Sequence, residues 1–134
     1  MRFVLDTSAV IHLVERKPDA LIKELRKATE APSISVVTLG ELAVGWAGLP
    51  SDSLRRRTYY AARRMRVVDI VADHLNSEPT ALVASFGVCR TAGIRGNDAW
   101  IAATALFSAA VLLTYDETLA ARFAAIGEGA LVSA

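Results

Sequence analysis

Apolar residues along this chain come in short dense runs, separated by segments in which they recur every three or four positions. That alternation predicts strands interleaved with helices. Arg2 to Leu5 is a β-branched and aromatic run closing on Asp6, and Thr7-Ser8 then offers capping hydroxyls before Val10, Ile11 and Val14 at helical spacing. A second helix begins near Pro18 and Asp19, carries Leu21, Ile22 and Leu25, and gives way at Pro32 to a strand over Ser33 to Val37. Thr38 precedes a helix containing Glu41, Leu42 and Val44. The cluster Gly48-Leu49-Pro50-Ser51-Asp52 breaks it, and an arginine-rich helix leads to a third strand over Val67 to Val71. Asp73 opens a helix to about Cys89, Gly93 and Gly96 mark a loop, and Asn97-Asp98 starts an alanine-rich helix to about Ala109. Val111 to Thr114 is the fourth strand, Glu117 to Ala125 the last helix, and Ala130 to Val132 offers a fifth, edge strand.

Strands that are nearly all apolar and alternate with helices argue for an α/β fold. The expected form is a central parallel sheet of four to five strands covered by helices on both faces, a three-layer α/β/α domain. With 134 residues, 53% of them hydrophobic, residues 1–134 read as one domain with ample material for a core. Sheets of this kind take their ligands at the carboxyl edge, where strand order reverses.

Composition narrows the setting. The single cysteine, Cys89, has no internal disulfide partner, which fits a reducing cytoplasm, and no cysteine or histidine cluster has zinc-site spacing. The N-terminal apolar run is interrupted by Asp6 and His12, unlike a secretory signal. The most membrane-like stretch, Ala99 to Tyr115, carries Thr104, Ser108 and Thr114 and falls short of the ~18 apolar residues of a span, so it reads as buried and no membrane is expected. Net charge is only +1, yet Arg55 to Arg66 holds six arginines and no acid. The remainder, with nine basic against 14 acidic residues, carries −5.

Four acids fall at one edge of the expected sheet. Asp6 ends the first strand, Glu41 follows the second, Asp98 opens the helix before the fourth, and Asp116 follows the fourth. Right-handed crossovers would set strands one and four side by side, with Asp6 and Asp116 flanking the crevice between them. Clustered carboxylates repel one another unless a cation compensates or protons are taken up. All-oxygen donors suit Mg²⁺ or Mn²⁺, while His12 and His74 are too few and too distant in the pattern for zinc. Such an ion, retaining waters and meeting substrate phosphates, suits phosphodiester hydrolysis. Thr7, Ser8, Asn97 and Thr114 stand beside these acids as groups able to hold them in position. Singly, each acid also has a structural explanation. Asp6, Asp98 and Asp116 can cap helices, and Glu41 lies three residues after Thr38, the spacing of a capping box.

The motifs Leu5-Asp6-Thr7-Ser8, Glu41 after strand two, Asn97-Asp98-Ala99-Trp100-Ile101-Ala102-Ala103 and Leu113-Thr114-Tyr115-Asp116 resemble the PIN-domain family, specifically VapC-type toxins. The resemblance covers essentially the whole chain, with all four acids intact. It implies a Mg²⁺- or Mn²⁺-dependent endoribonuclease that forms homodimers and is held inactive by a cognate protein antitoxin covering the acidic groove. It makes Asp6 and Asp98 the principal metal ligands, with Glu41 and Asp116 completing the pocket, and leaves the role of Glu117 open. A PIN-like module that binds RNA or protein without cutting is the alternative.

The helix from Arg55 to Arg66 has arginines on nearly every face. Arg55, Arg56, Arg63 and Arg64 are candidates for RNA or partner contact, with Tyr59 or Tyr60 available to stack on bases; a solvated face with tyrosines in the core is the competing explanation. Trp46 and Trp100 read as packing residues, and His12 as structural or exposed. A receiver domain would need a late lysine, but the last is Lys27. A haloacid-dehalogenase-type phosphatase would need an acid where Ser8 stands. Neither a Walker A segment nor G-x-G-x-x-G occurs.

Overall fold

Five strands form among the residues the computed structural model describes, which are 1–47, 53–68 and 81–132. They are β1 (Phe3–Leu5), β2 (Ser33–Ser35), β3 (Arg66–Val68), β4 (Val111–Thr114) and β5 (Glu128–Leu131). Every neighbouring pair is parallel and the order is β3-β2-β1-β4-β5, so the chain reverses its direction of travel across the sheet between β1 and β4. The helices are α1 (Thr7–Ile11), α2 (Asp19–Leu25), α3 (Val36–Trp46), α4 (Leu54–Arg63), α5 (Ala81–Thr91), α6 (Gly96–Phe107) and α7 (Glu117–Ala124). Between α1 and α2 the backbone widens into a π-helical turn, His12–Arg16, which Lys17 ends in the left-handed conformation at φ 47°.

Side-chain alternation along the strands creates two cores, one on each face. Val4 and Leu112 point to the side where Cys89, Ile101, Leu119 and Phe123 come in from α5, α6 and α7. Phe3, Leu5, Val111 and Leu113 point to the other side, against Val10, Leu21, Leu42 and Ala62 of α1 to α4. This is the three-layer arrangement the sequence implies. No helix among the described residues is long and apolar enough to cross a membrane.

Two strand boundaries differ from the sequence reading by two residues, and the others among the described residues by no more than one. β2 stops at Ser35 instead of reaching Val37, because the Ser35 hydroxyl accepts from the Val37 amide at 3.1 Å and starts α3 three residues early. β-branched Val36 and Val37 are thereby drawn into a helix against their preference. β5 begins at Glu128, paired with Val111, rather than at Ala130. The Gly48 to Asp52 break, the last part of the expected third strand and the helix start at Asp73 lie outside the described residues.

Between α7 and β5 the chain must turn closely over the fully buried Phe123 ring. A Cβ on Gly127 would sit 2.7 Å from Phe123 Cζ, and one on Gly129 would sit 3.2 Å from Cδ1 and 3.3 Å from the Ala120 carbonyl oxygen. Gly127→Ala is expected to lower unfolding free energy by roughly 1–3 kcal/mol through overpacking. Urea denaturation checks this, and an unchanged midpoint would mean the ring has room to move aside.

Candidate active site

Asp6 is the anchor of the site and only 5% exposed. An ionised carboxylate at that depth needs its lone pairs filled. Oδ1 accepts from the Ser8 hydroxyl at 2.7 Å and from the Ala9 amide at 2.8 Å, the second bond making Asp6 the N-cap of α1. Oδ2 accepts from the Thr114 hydroxyl, which is fully buried at the end of β4. Both hydroxyls also accept, Thr114 from the Asp116 amide and Ser8 from the Tyr115 amide, each at 3.0 Å. Asp6 is therefore tied to the segment that carries Asp116, and the β1–β4 pairing makes this possible.

The other acids arrive from different elements. Asp98 is the third residue of α6 and partly buried, so it lies inside the helix and is not its N-cap; that place belongs to Arg95. Asp116 does cap α7, accepting from Thr118 and Leu119 amides at 2.9 and 3.1 Å, and remains exposed. Glu41 is in the second turn of α3, since α3 starts at Val36, which removes the capping-box explanation. Its Oε1 instead accepts from the Thr7 hydroxyl at 2.5 Å, with the buried Thr38 hydroxyl 3.4 Å from that of Thr7.

Electrostatics show that the four share one region. Burial raises the Asp98 carboxyl above its ordinary value, and the charges of Glu41, Asp116 and Asp6 raise it further. Asp6 is also raised, by burial first and by Asp116 last, against the lowering effect of its three hydrogen bonds. Among the described residues no three acids, histidines or cysteines close tightly enough to cage an ion unaided. The donors are all carboxylate oxygens around an open rim. That set fits a hard divalent cation that keeps part of its water shell.

Of the groups read as supports, Thr7, Ser8 and Thr114 bond directly to acids. Asn97 is exposed and bonds to none of the four; with Glu41 it lines a groove of about 600 Å³ along α3. Glu117 is exposed in the first turn of α7, where a negative charge favours the helix N-terminus. His12, read as structural, stacks on Tyr115 with ring centroids 3.7 Å apart. Trp100 stacks on Phe86 at 3.9 Å, and Trp46 packs on Tyr59 at 5.6 Å.

The arginines of α4 are largely occupied within the molecule. Arg55 pairs with Glu15 at 3.1 Å, Arg56 lies 4.9 Å from the Trp46 ring centre, and Arg63 lies 5.8 Å from that of Tyr60. Arg64 is exposed, two residues before Arg66, which pairs with Ser33 at the amino ends of β3 and β2. At most about 7 Å of chain separates it from that edge. Arg63 and Arg64 thus stand at the edge opposite the acids. The arginines nearer the acids, Arg95 and Arg122, were missed in the sequence because they are isolated there, whereas a run of six draws notice.

A hydroxyl-braced set of carboxylates thus lies at the point where the parallel sheet of this α/β domain reverses its strand order. The PIN domain model matches residues 3–125, and the chain belongs to that family. Ribonuclease VapC4 of Mycobacterium tuberculosis is 43% identical over 93 residues, covering 66% of this chain and 68% of the relative. The structure of VapBC2 from Rickettsia felis bound to a promoter DNA fragment superposes with a TM-score of 0.73 at 20% identity, covering 99% of this chain and 100% of that one. VapBC-1 from nontypeable Haemophilus influenzae gives 0.70 at 22% identity, covering 97% of each chain. At such identities these two show likeness of fold.

Raised carboxyl pKa values have a definite sign for stability. Asp6 and Asp98 hold protons more firmly folded than unfolded, so their contribution is fully present below their ordinary value of 3.8 and is lost as pH rises through their raised folded values. In chelator, Asp98→Asn is expected to melt above the native protein at pH 7, with the difference closing as pH falls through the carboxylate range. Thermal unfolding across that range measures it. Parallel curves would mean Asp98 is not under strain from its neighbours.

Proposed function

We propose that this chain is a divalent-cation-dependent endoribonuclease and the toxin of a toxin–antitoxin pair. The observation that carries the reading is the convergence of Asp6, Glu41, Asp98 and Asp116, with Asp98 feeling the charge of the other three. Membership of the PIN family and likeness to a ribonuclease of the VapC group support it. Asp6 and Asp98 are the principal ligands for Mg²⁺ or Mn²⁺, and Glu41 and Asp116 complete the anionic pocket. Bound there, the ion would supply a water of lowered pKa and positive charge to offset that developing on the phosphate.

The chain's own residues perform the remaining tasks. Ser8, the Ala9 amide and Thr114 hold the Asp6 carboxylate in one orientation, so that it meets a ligand without rearranging. Thr7 fixes Glu41 in the same way. The half-burial of Asp98 keeps it ready to accept positive charge, because a cation relieves both its desolvation and its repulsion. The acidic rim also defines what silences the protein. A cognate antitoxin that covers it and supplies a cationic side chain would compete with both ion and RNA. Solved structures named as VapBC support such a partner, and the homodimer is read from membership of the family.

Asp98→Asn in purified protein is expected to reduce cleavage of total cellular RNA by at least about 100-fold with Mg²⁺ or Mn²⁺, while the far-ultraviolet dichroism spectrum is unchanged. Asp98 is a better control than Asp6, whose removal to Ala strips the partners from Ser8 and Thr114 and the cap from α1. Discrete fragments that vanish with chelator and with Asp98→Asn establish the activity. Folded, ion-binding protein free of copurified inhibitor that leaves RNA intact would instead mark a module that binds without cutting.

A further inference from the structure

Beside the acidic rim, between the starts of α6 and α7, lies a cleft of about 130 Å³ whose lining carries both signs of charge. Arg95 and Arg122 face it together with Asp98, Asp116 and Thr118. Ion pairs of 4.0 Å or less do form elsewhere among the described residues, as between Arg55 and Glu15 or Arg2 and Glu30, but none joins either arginine to either acid of the cleft. Opposite charges brought to one small cleft and held apart leave room for something between them.

Arg122 is held by a neutral group. Its Nη1 donates to the Gly93 carbonyl at 2.9 Å, and its Nε and Cδ lie 3.7 and 3.8 Å from the place a Cβ on Gly93 would take. Gly93 has φ +88°, a conformation that side-chain-bearing residues rarely adopt, and the turn it makes presents the carbonyl to the arginine. The guanidinium is thus oriented without being neutralised, and its other donors remain for an anion. Arg95, exposed at the head of α6, is three residues from Asp98 and has no side-chain bond to the helix it precedes.

We infer that Arg95 and Arg122 form a phosphate subsite that grips the RNA backbone one linkage away from the phosphodiester that is cut. This rests on the ribonuclease reading and adds to it the direction in which the strand leaves the acids. A cluster of carboxylates repels a polyanion, so a ribonuclease built on one needs cations close by. A guanidinium fork matches the oxygens of a phosphodiester and stays charged at any working pH. The arginine-dense helix does not provide this at the rim, since Arg55 is paired and Arg63 and Arg64 lie by the opposite edge of the sheet.

The test uses a fluorescein-labelled single-stranded RNA and anisotropy in chelator, which leaves the RNA uncut and every bond of the Asp6 carboxylate in place. Arg95→Ala and Arg122→Ala should each weaken binding roughly tenfold and reduce the slope of log affinity against log salt by about 0.7. Arg122→Lys should recover most of the slope, while Arg26→Ala, a basic residue at the end of α2, should change neither quantity. In otherwise native protein the two alanine variants should raise KM with kcat little altered. Unchanged affinity and slope in a protein that still cuts RNA would overturn the subsite and leave the ribonuclease reading standing. A native chain that neither cuts nor binds RNA would overturn both. Unchanged RNA affinity with weakened binding of the co-expressed antitoxin would assign the arginines to the protein partner instead.

Discussion

A carboxylate removed almost entirely from water at the end of the central strand is the constraint around which this molecule is organised. Left without partners, Asp6 would cost several kcal/mol in an interior of this kind. Three hydrogen bonds answer that demand, and each fixes a part of the fold. The Ala9 amide sets the start of α1, Ser8 links that start to Tyr115, and Thr114 joins β1 to β4 and passes the connection on to the Asp116 amide. Satisfying one buried charge thereby determines how two strands and two helix starts meet.

The same economy appears in the way helix capping and the proposed ligation share residues. Asp6 and Asp116 each cap a helix with one oxygen, Oδ1 in both cases. In Asp116 the second oxygen is left to the exposed rim. A cap that uses one oxygen therefore does not by itself argue against the ligand role proposed for these acids. At Asp98 and Glu41 the helix begins earlier than the acid, and the capping explanation fails.

Strand positions were legible because a buried parallel strand has little choice but to be continuously apolar: Val111 to Thr114 lies where its pattern puts it, and the strand order follows from connecting such strands with helices. Asp6, Glu41 and Asp116 stood out because each closes or follows a strand, and Asp98 because it opens the helix ahead of β4. Boundaries were less so. At Ser35 a single hydroxyl outweighs two β-branched residues, and at Glu128 backbone pairing with Val111 recruits a residue of no apolar character. Charge was harder to read for a different reason. A run of arginines is conspicuous along the chain, but helical geometry turns its members towards Glu15, Trp46 and Tyr60, while Arg122 and Gly93, 29 residues apart, meet only in the folded molecule.

The β1–β4 pairing also bears on the order in which the protein is made. Phe3 pairs with Val111, and the hydroxyl that braces Asp6 comes from a residue 108 positions later. A chain still emerging from the ribosome holds Asp6 and Glu41 early, but without β4 it has neither the brace nor the neighbouring strand, and contacts of such long sequence separation form only when both ends are available. The acidic centre therefore stays unassembled until nearly the whole chain described here has left the exit tunnel. A truncated product of interrupted translation ending before residue 114 would carry at most three of the four carboxylates, without Asp116, and no completed site.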